Sequence, residues 1–265
     1  MRSTVVRRTA LVAFAAALAL FAAACGGSSD DAGKGTDGAA GARAGEKPSA
    51  PPAAARPLTA AELEKAALTQ ADVKSGKVTA KVAAKDDIAQ DRVKTDKAAC
   101  APLARLQVGS YAGRPSAVVK RDWKGASKKP AAGATDEEKF LAGLDAPQVM
   151  VTLASYGSGG AERAMKDLSA AAGACAGGFE FTVGGEKTQN LKVEKTAAPQ
   201  GGDEASAVTT TSQIDKDLKA PVKGVVVRKG ATLAYFPVVN LGAAAAGKDF
   251  PFPTDILDAQ LAKLK

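Results

Sequence analysis

The chain opens on an abrupt change of polarity. A basic start, MRSTVVRR, carries Arg2, Arg7 and Arg8 and no acid, and residues 10–24 then contain no polar side chain. A bilayer-spanning helix needs about 20 apolar residues. The run is short for that and fits the apolar region of a signal peptide, with the arginines on the cytoplasmic side. The pattern then breaks. Residues 26–57 are Gly, Ala, Ser, Pro and scattered charge, with almost no bulky apolar side chain. Such a tract buries too little surface to offset its ordering entropy. It is expected to be a tether with a root-mean-square span of roughly 30 Å, stiffening towards polyproline II in KPSAPPAAARP.

From Leu58 onwards periodic patterns return. Thr59-Ala-Ala-Glu62 is a capping box leading into Leu63, Ala66 and Ala67, so a helix is predicted there. GKVTAKV and the segment up to Val93 read as short strands. DKAACAPLARL reads as a helix with Cys100 near its start, and SAVVKRDW as a strand. KGASKKPAAGATDEEKF is a loop ending in a second capping box, Thr135 to Glu138. PQVMVTLASYG alternates as a strand, and GGAERAMKDLSAAAGAC follows with Ala161, Met165 and Leu168 on one helical stripe. FEFTV, LKVEK and ASAVTTTSQI are further strands, with turns at Gly184-Gly185 and AAPQGGDE. GVVVRKGATLAYFPVV is a hairpin with its turn at Lys229-Gly230. The chain closes on PTDILDAQLAKLK, an amphipathic helix with Thr254 as N-cap, Leu257, Leu261 and Leu264 as its stripe, and Lys263 and Lys265 suited to its C-terminal dipole. Consecutive strands joined by short turns, with helices between strand groups, predict an α+β fold with an antiparallel sheet. No internal repeat is visible. Residues 58–265 are expected to form one domain.

Where the apolar run ends, Ala22-Ala23-Ala24-Cys25 resembles the lipobox of bacterial lipoproteins. That resemblance implies diacylglycerol on the Cys25 sulfur and cleavage just before it. The organisation that follows is a signal peptide (1–24), a lipidated cysteine with its tether (25–57) and the folded domain. This sequence has Ala22 where the family usually has Leu or another aliphatic. Ala22-x-Ala24 also meets the ordinary A-x-A rule for a plain secreted protein. Arg7-Arg8 reads as ordinary leader charge in preference to a twin-arginine signal, because the residues around it match that signal weakly.

Charge alters this picture little. The net charge is +8, and without the leader's three arginines it is +5. That surplus is too mild to imply nucleic acid. There is no histidine, so His-based triads, His metal sites and the usual physiological-pH switch are out of reach. With Cys25 acylated, Cys100 and Cys175 have only each other. Export permits a disulfide between them, and two free thiols are the alternative. A catalytic thiol would have no histidine to activate it.

Other stretches invite chemistry. YGSGGAER takes a strand into a helix through Gly157-Ser158-Gly159-Gly160, a turn that could offer amides to an anion. It is no nucleophile elbow, since Tyr156 stands where glycine is needed, and a flexible connection is the plainer reading. KSGKVT lacks the first glycine and the Ser/Thr of a P-loop. Asp86, Asp87 and Asp91 lack EF-hand spacing and read as solvated carboxylates. In KRDWKGASKK, Lys120, Arg121, Lys124, Lys128 and Lys129 surround Trp123. Two readings compete: a basic patch for anionic lipid or wall polymer, and a charged loop whose Trp folds back into the core. No metal site and no cofactor motif is recognised.

The order of a capped helix, an early Cys100, VMVTLASYGSGGAERAMKDLSAAAGAC, GDEAS and a final VVVRKGATLAYFPVVN hairpin resembles the PknH-like extracellular sensor domain of actinobacteria. The likeness covers roughly residues 58–264. It implies an α+β domain with a twisted antiparallel sheet, packed helices and a ligand cleft. Members often carry two disulfides, and this chain has cysteines for one. The family offers no catalytic motif to transfer. The leading expectation is therefore a non-enzymatic, ligand-binding or sensor-type lipoprotein on the outer face of the cell membrane. It would be held there by its lipid anchor, and its ligand would be a small molecule, lipid or cell-wall fragment. Trp123, Tyr156 and Tyr235 are candidate ligand-lining residues, with core packing as the bland reading of each. Two alternatives stand beside it: a protein-interaction lipoprotein serving a membrane kinase or wall-assembly complex, and a histidine-free Ser/Lys hydrolase.

Overall fold

The computed structural model of the chain describes residues 56–264. The expected leader, Cys25 and the tether as far as residue 55 lie outside the described residues. Among the described residues six α-helices and nine strands follow one another: α1 (Ala60–Ala66), β1 (Lys77–Thr79), β2 (Val93–Thr95), α2 (Ala101–Gln107), β3 (Ala117–Lys124), α3 (Asp136–Leu144), β4 (Gln148–Ser155), α4 (Gly160–Ala174), β5 (Phe179–Val183), β6 (Glu186–Thr196), β7 (Glu204–Asp215), β8 (Leu218–Lys229), β9 (Thr232–Val239), α5 (Leu241–Ala245) and α6 (Thr254–Lys263). The strands form one sheet of nine in the order β1-β3-β4-β9-β8-β7-β6-β5-β2. Every neighbouring pair is antiparallel. This is the expected α+β class.

Strand alternation sends side chains to two faces, and both are apolar. On one face Val208, Val226, Leu233 and Tyr235 meet Leu103 and Leu106 of α2 and Met165 and Leu168 of α4. On the other, Val151, Val225, Val227 and Phe236 meet Leu63 of α1 and Ile256, Leu257 and Leu261 of α6. Helix α2 comes so near the sheet that a Cβ on Gly224 would lie 2.7 Å from Leu106 Cδ2. Cys100 and Cys175 are bonded, with Cα atoms 5.9 Å apart, and tie the start of α2 to the end of α4.

Both capping boxes form, at Thr59/Glu62 and at Thr135/Glu138. Other local expectations shift. Pro253, not Thr254, is the N-cap of α6, without a side-chain hydrogen bond; Ile256 N instead donates to the Pro253 carbonyl. The stripe of α6 includes a buried polar residue, Gln260. Its amide oxygen accepts from Leu68 N at 2.9 Å and its Nε2 donates to the Ala66 carbonyl at 2.7 Å, closing the open end of α1. The β8–β9 turn is Gly230-Ala231, inside the Lys229–Thr232 pair. Gly230 has φ +58, the left-handed backbone that a two-residue hairpin requires. Strand β8 begins at Leu218, well before the expected GVVV core, because Pro221 disguises the alternation of Leu218, Ala220 and Val222.

One feature of the topology positions the site. Strands β1 and β2 are consecutive in sequence yet lie at opposite edges of the sheet. Residues 80–92 must therefore cross from one edge to the other, and they do so as a strap over the α2 face, where Ile88 is buried.

Candidate functional site

Two openings flank the strap. A cleft of about 490 Å³ lies between it and the sheet. A groove of about 670 Å³ runs along the outer edge of β3, with Lys81 and Val82 bordering both.

The cleft is built by strand register. Asp122 of β3 stands opposite Met150 of β4, and Gln148 of β4 opposite Val239 of β9. Alternation sends these side chains and Pro237 to one face, where they line the cleft with Val108, Ile88 and Val82. The floor mixes apolar Met150, Pro237 and Val239 with Asp122 and Gln148, and Asp86, Lys81 and Lys85 from the strap and Gln107 from α2 add a polar rim. Gln107 is itself pinned: its Nε2 donates to Ser212 Oγ at 2.7 Å, Ser212 Oγ donates to Asn190 Oδ1 at 2.7 Å, and Asn190 Nδ2 returns to Gln107 Oε1 at 2.9 Å. A closed ring of this kind satisfies its buried members and fixes their rotamers. Asp122 has no ion pair among the described residues. Burial raises its pKa, the nearby Asp86 raises it further, and Lys124 opposes the shift.

The strap is held at its start and near its middle by cations of β3. Lys120 Nζ lies 2.8 Å from Asp87 Oδ1 and donates to the Ile88 carbonyl at 2.8 Å. Arg121 donates to the carbonyls of Ala80 and Leu68, both at 3.2 Å, and pairs with Glu64 at 2.5 Å. These contacts remove Lys120 and Arg121 from the basic-patch reading of KRDWKGASKK, while Lys124, Lys128 and Lys129 stay exposed. The Lys120 and Arg121 side chains are 7% and 6% exposed, and Lys128 pairs with Asp145. A buried ammonium or guanidinium needs partners, and the strap supplies them.

Trp123 is buried in the α1/α6 layer and its indole N–H donates to the Ser75 carbonyl at 3.0 Å. Tyr156 and Tyr235 are buried on the opposite face, with their hydroxyls 2.8 Å apart. The structure thus joins the two tyrosines, separates them from Trp123, and places none of the three along the cleft or the groove. The Gly157–Gly160 turn has Ser158 at φ +50 and Gly159 at φ +69, a tight strand-to-helix connection. Asp87 is engaged by Lys120, and among the described residues no group of His, Cys, Asp or Glu is gathered for a metal. Sequence reasoning placed Lys120 only in a basic patch and missed Asp122, Met150 and Gln107. Alternation along SAVVKRDW does put Lys120 and Asp122 on one face, but the strap above them has no local signal.

No family model matches the chain, and no curated protein matches it. Among solved structures it is similar to the crystal structure of the extracellular domain of PknH from Mycobacterium tuberculosis, at 10% identity over 79% of this chain and 95% of that one, with a TM-score of 0.41. A likeness of that degree carries no functional conclusion.

Proposed function

We propose that this chain is an exported lipoprotein, anchored through Cys25 on the outer face of the cell membrane, whose α+β domain binds a small ligand without chemical turnover. The cleft between strap and sheet is the observation that carries the reading. Its apolar surface of Met150, Pro237 and Val239, set beside a few polar groups such as Asp122 and Gln148, resembles the usual make-up of a ligand site. The size suits a small molecule or the end of a lipid or wall fragment. Asp122, half-buried and without an ion pair among the described residues, would orient a donor or cationic group of that ligand. The leader, the lipobox resemblance and the Cys100–Cys175 bond support a workplace outside the cytoplasm.

Native mass spectrometry of the full chain, extracted gently from its own membranes, tests the reading. A bound species is expected in the wild type and is lost in Met150→Trp, which fills the floor. A chain that carries nothing, and whose melting temperature no envelope extract raises, would refute it.

A further inference from the structure

The outer edge of β3 is covered for only part of its length. β1 pairs with Asp122, Trp123 and Lys124 alone, after which the chain leaves as the strap. Residues 118–121 border the 670 Å³ groove instead.

Two hydrogen bonds establish which backbone groups face that groove. Gly125 N donates to the Pro147 carbonyl at 2.8 Å, continuing the β3–β4 ladder, so odd-numbered residues of β3 turn their polar groups towards β4. Val78, opposite Trp123, gives its amide to Gln70 Oε1 at 2.9 Å, so the even-numbered residues of β3 are those that bond β1. Antiparallel ladders alternate in this way. The amide and carbonyl of Val118 and the amide of Lys120 therefore point into the groove. The Lys120 carbonyl accepts from Arg121 Nη1 at 2.9 Å. Among the described residues no loop or side-chain hydrogen bond reaches the other three.

A row of unpaired strand groups is complementary to the backbone of another extended chain. Strap residues Ala80 to Val82 and Glu64 of α1 line the groove together with β3. Charge narrows the choice. Lys120 is matched by Asp87 and Arg121 by Glu64, whereas Lys81 pairs with no acid among the described residues. We propose that the open β3 edge takes an extended, acid-bearing peptide segment of a partner polypeptide as an added strand.

The probe is a fluorescein-labelled hexapeptide alternating Val and Thr with one Glu, added to the full chain and followed by anisotropy. Saturable binding is expected, weakened about tenfold when one alternate set of its amides is N-methylated and little changed when the other set is. Amide exchange at Val118 and Lys120 slows on binding. Val118→Pro removes an amide that the β4 ladder does not use, so the same loss is expected with the fold retained. Lys81→Glu weakens the Glu peptide and strengthens a version carrying Lys. Absence of saturable binding at millimolar peptide, equal tolerance of both methylated sets, or protection at Val118 through dimerisation of the chain itself overturns the proposal. If Val118→Pro does not fold, the methylated pair on the wild-type chain decides.

Discussion

The hydroxyls of Tyr156 and Tyr235 lie 2.8 Å apart inside the α2/α4 layer. Tyr156 donates to the Ala112 carbonyl at 2.7 Å, and Tyr235 accepts from the Ala112 amide at 3.3 Å. The pair thus clasps both polar groups of one residue in the segment that follows α2.

That clasp sets an alkaline limit. Burial raises both phenols above their ordinary pKa of about 10. Tyr235 is pushed up to about 12, with its bonds to Tyr156 and Ala112 opposing the rise. For Tyr156 the Tyr235 charge and hydrogen bond add to burial, and the phenol goes higher still. The folded chain then holds protons that the unfolded chain releases. Stability is expected to be intact below pH 10 and to fall as pH rises from there through 12. Denaturant melts between pH 8 and 12 measure the slope, and Tyr235→Phe should flatten it.

Asp122 predicts an opposite balance between stability and binding. Its pKa is raised by burial first and by Asp86 second. A carboxyl whose folded pKa exceeds the unfolded one destabilises the fold once pH passes the unfolded value of about 3.9. Asp122→Asn should therefore melt at a higher temperature than wild type at pH 7 and equal it near pH 3, while losing the species bound in the cleft. Paired thermal melts and native mass spectra check both halves.

The Cys100–Cys175 bond closes a loop with a sequence separation of 75. Restricting that loop in the unfolded chain contributes about 4 kcal/mol on the chain-entropy model. Replacing both cysteines by Ala should lower stability by about that amount in urea titrations. The α2–α4 contact should be the first region to gain amide exchange.

Gly224 is expected to tolerate no side chain. A Cβ there would meet Leu106 Cδ2 at 2.7 Å and Val208 Cγ2 at 3.4 Å. Gly224→Ala should cost about 1–3 kcal/mol by overpacking, and Leu106→Ala in the same chain should recover part of that. A double-mutant cycle measures the coupling.

The proposed membrane attachment would rest on one sulfur. Cys25→Ser is expected to abolish incorporation of labelled fatty acid and to release the chain from membranes. Labelled fatty acid persisting on the variant would show that another residue carries the acyl group.

Local chemistry made much of this fold readable in advance. Thr59/Glu62 and Thr135/Glu138 are helix starts because a side chain three residues away satisfies an end amide, whatever surrounds them. The α+β class followed from periods of about two and 3.6 residues, and the pairing of Cys100 with Cys175 from cysteine arithmetic. Periodicity reports that a strand has faces; it does not say what covers each face or which strand lies alongside. The crossing of residues 80–92 between opposite sheet edges depends on strand order, which is decided by contacts between residues far apart in sequence. That crossing drew Lys120 and Arg121 inward to Asp87, Glu64 and strap carbonyls. It also left Asp122 in a cleft and Val118 on an open edge. The same residues in SAVVKRDW under any other strand order would be an ordinary charged surface.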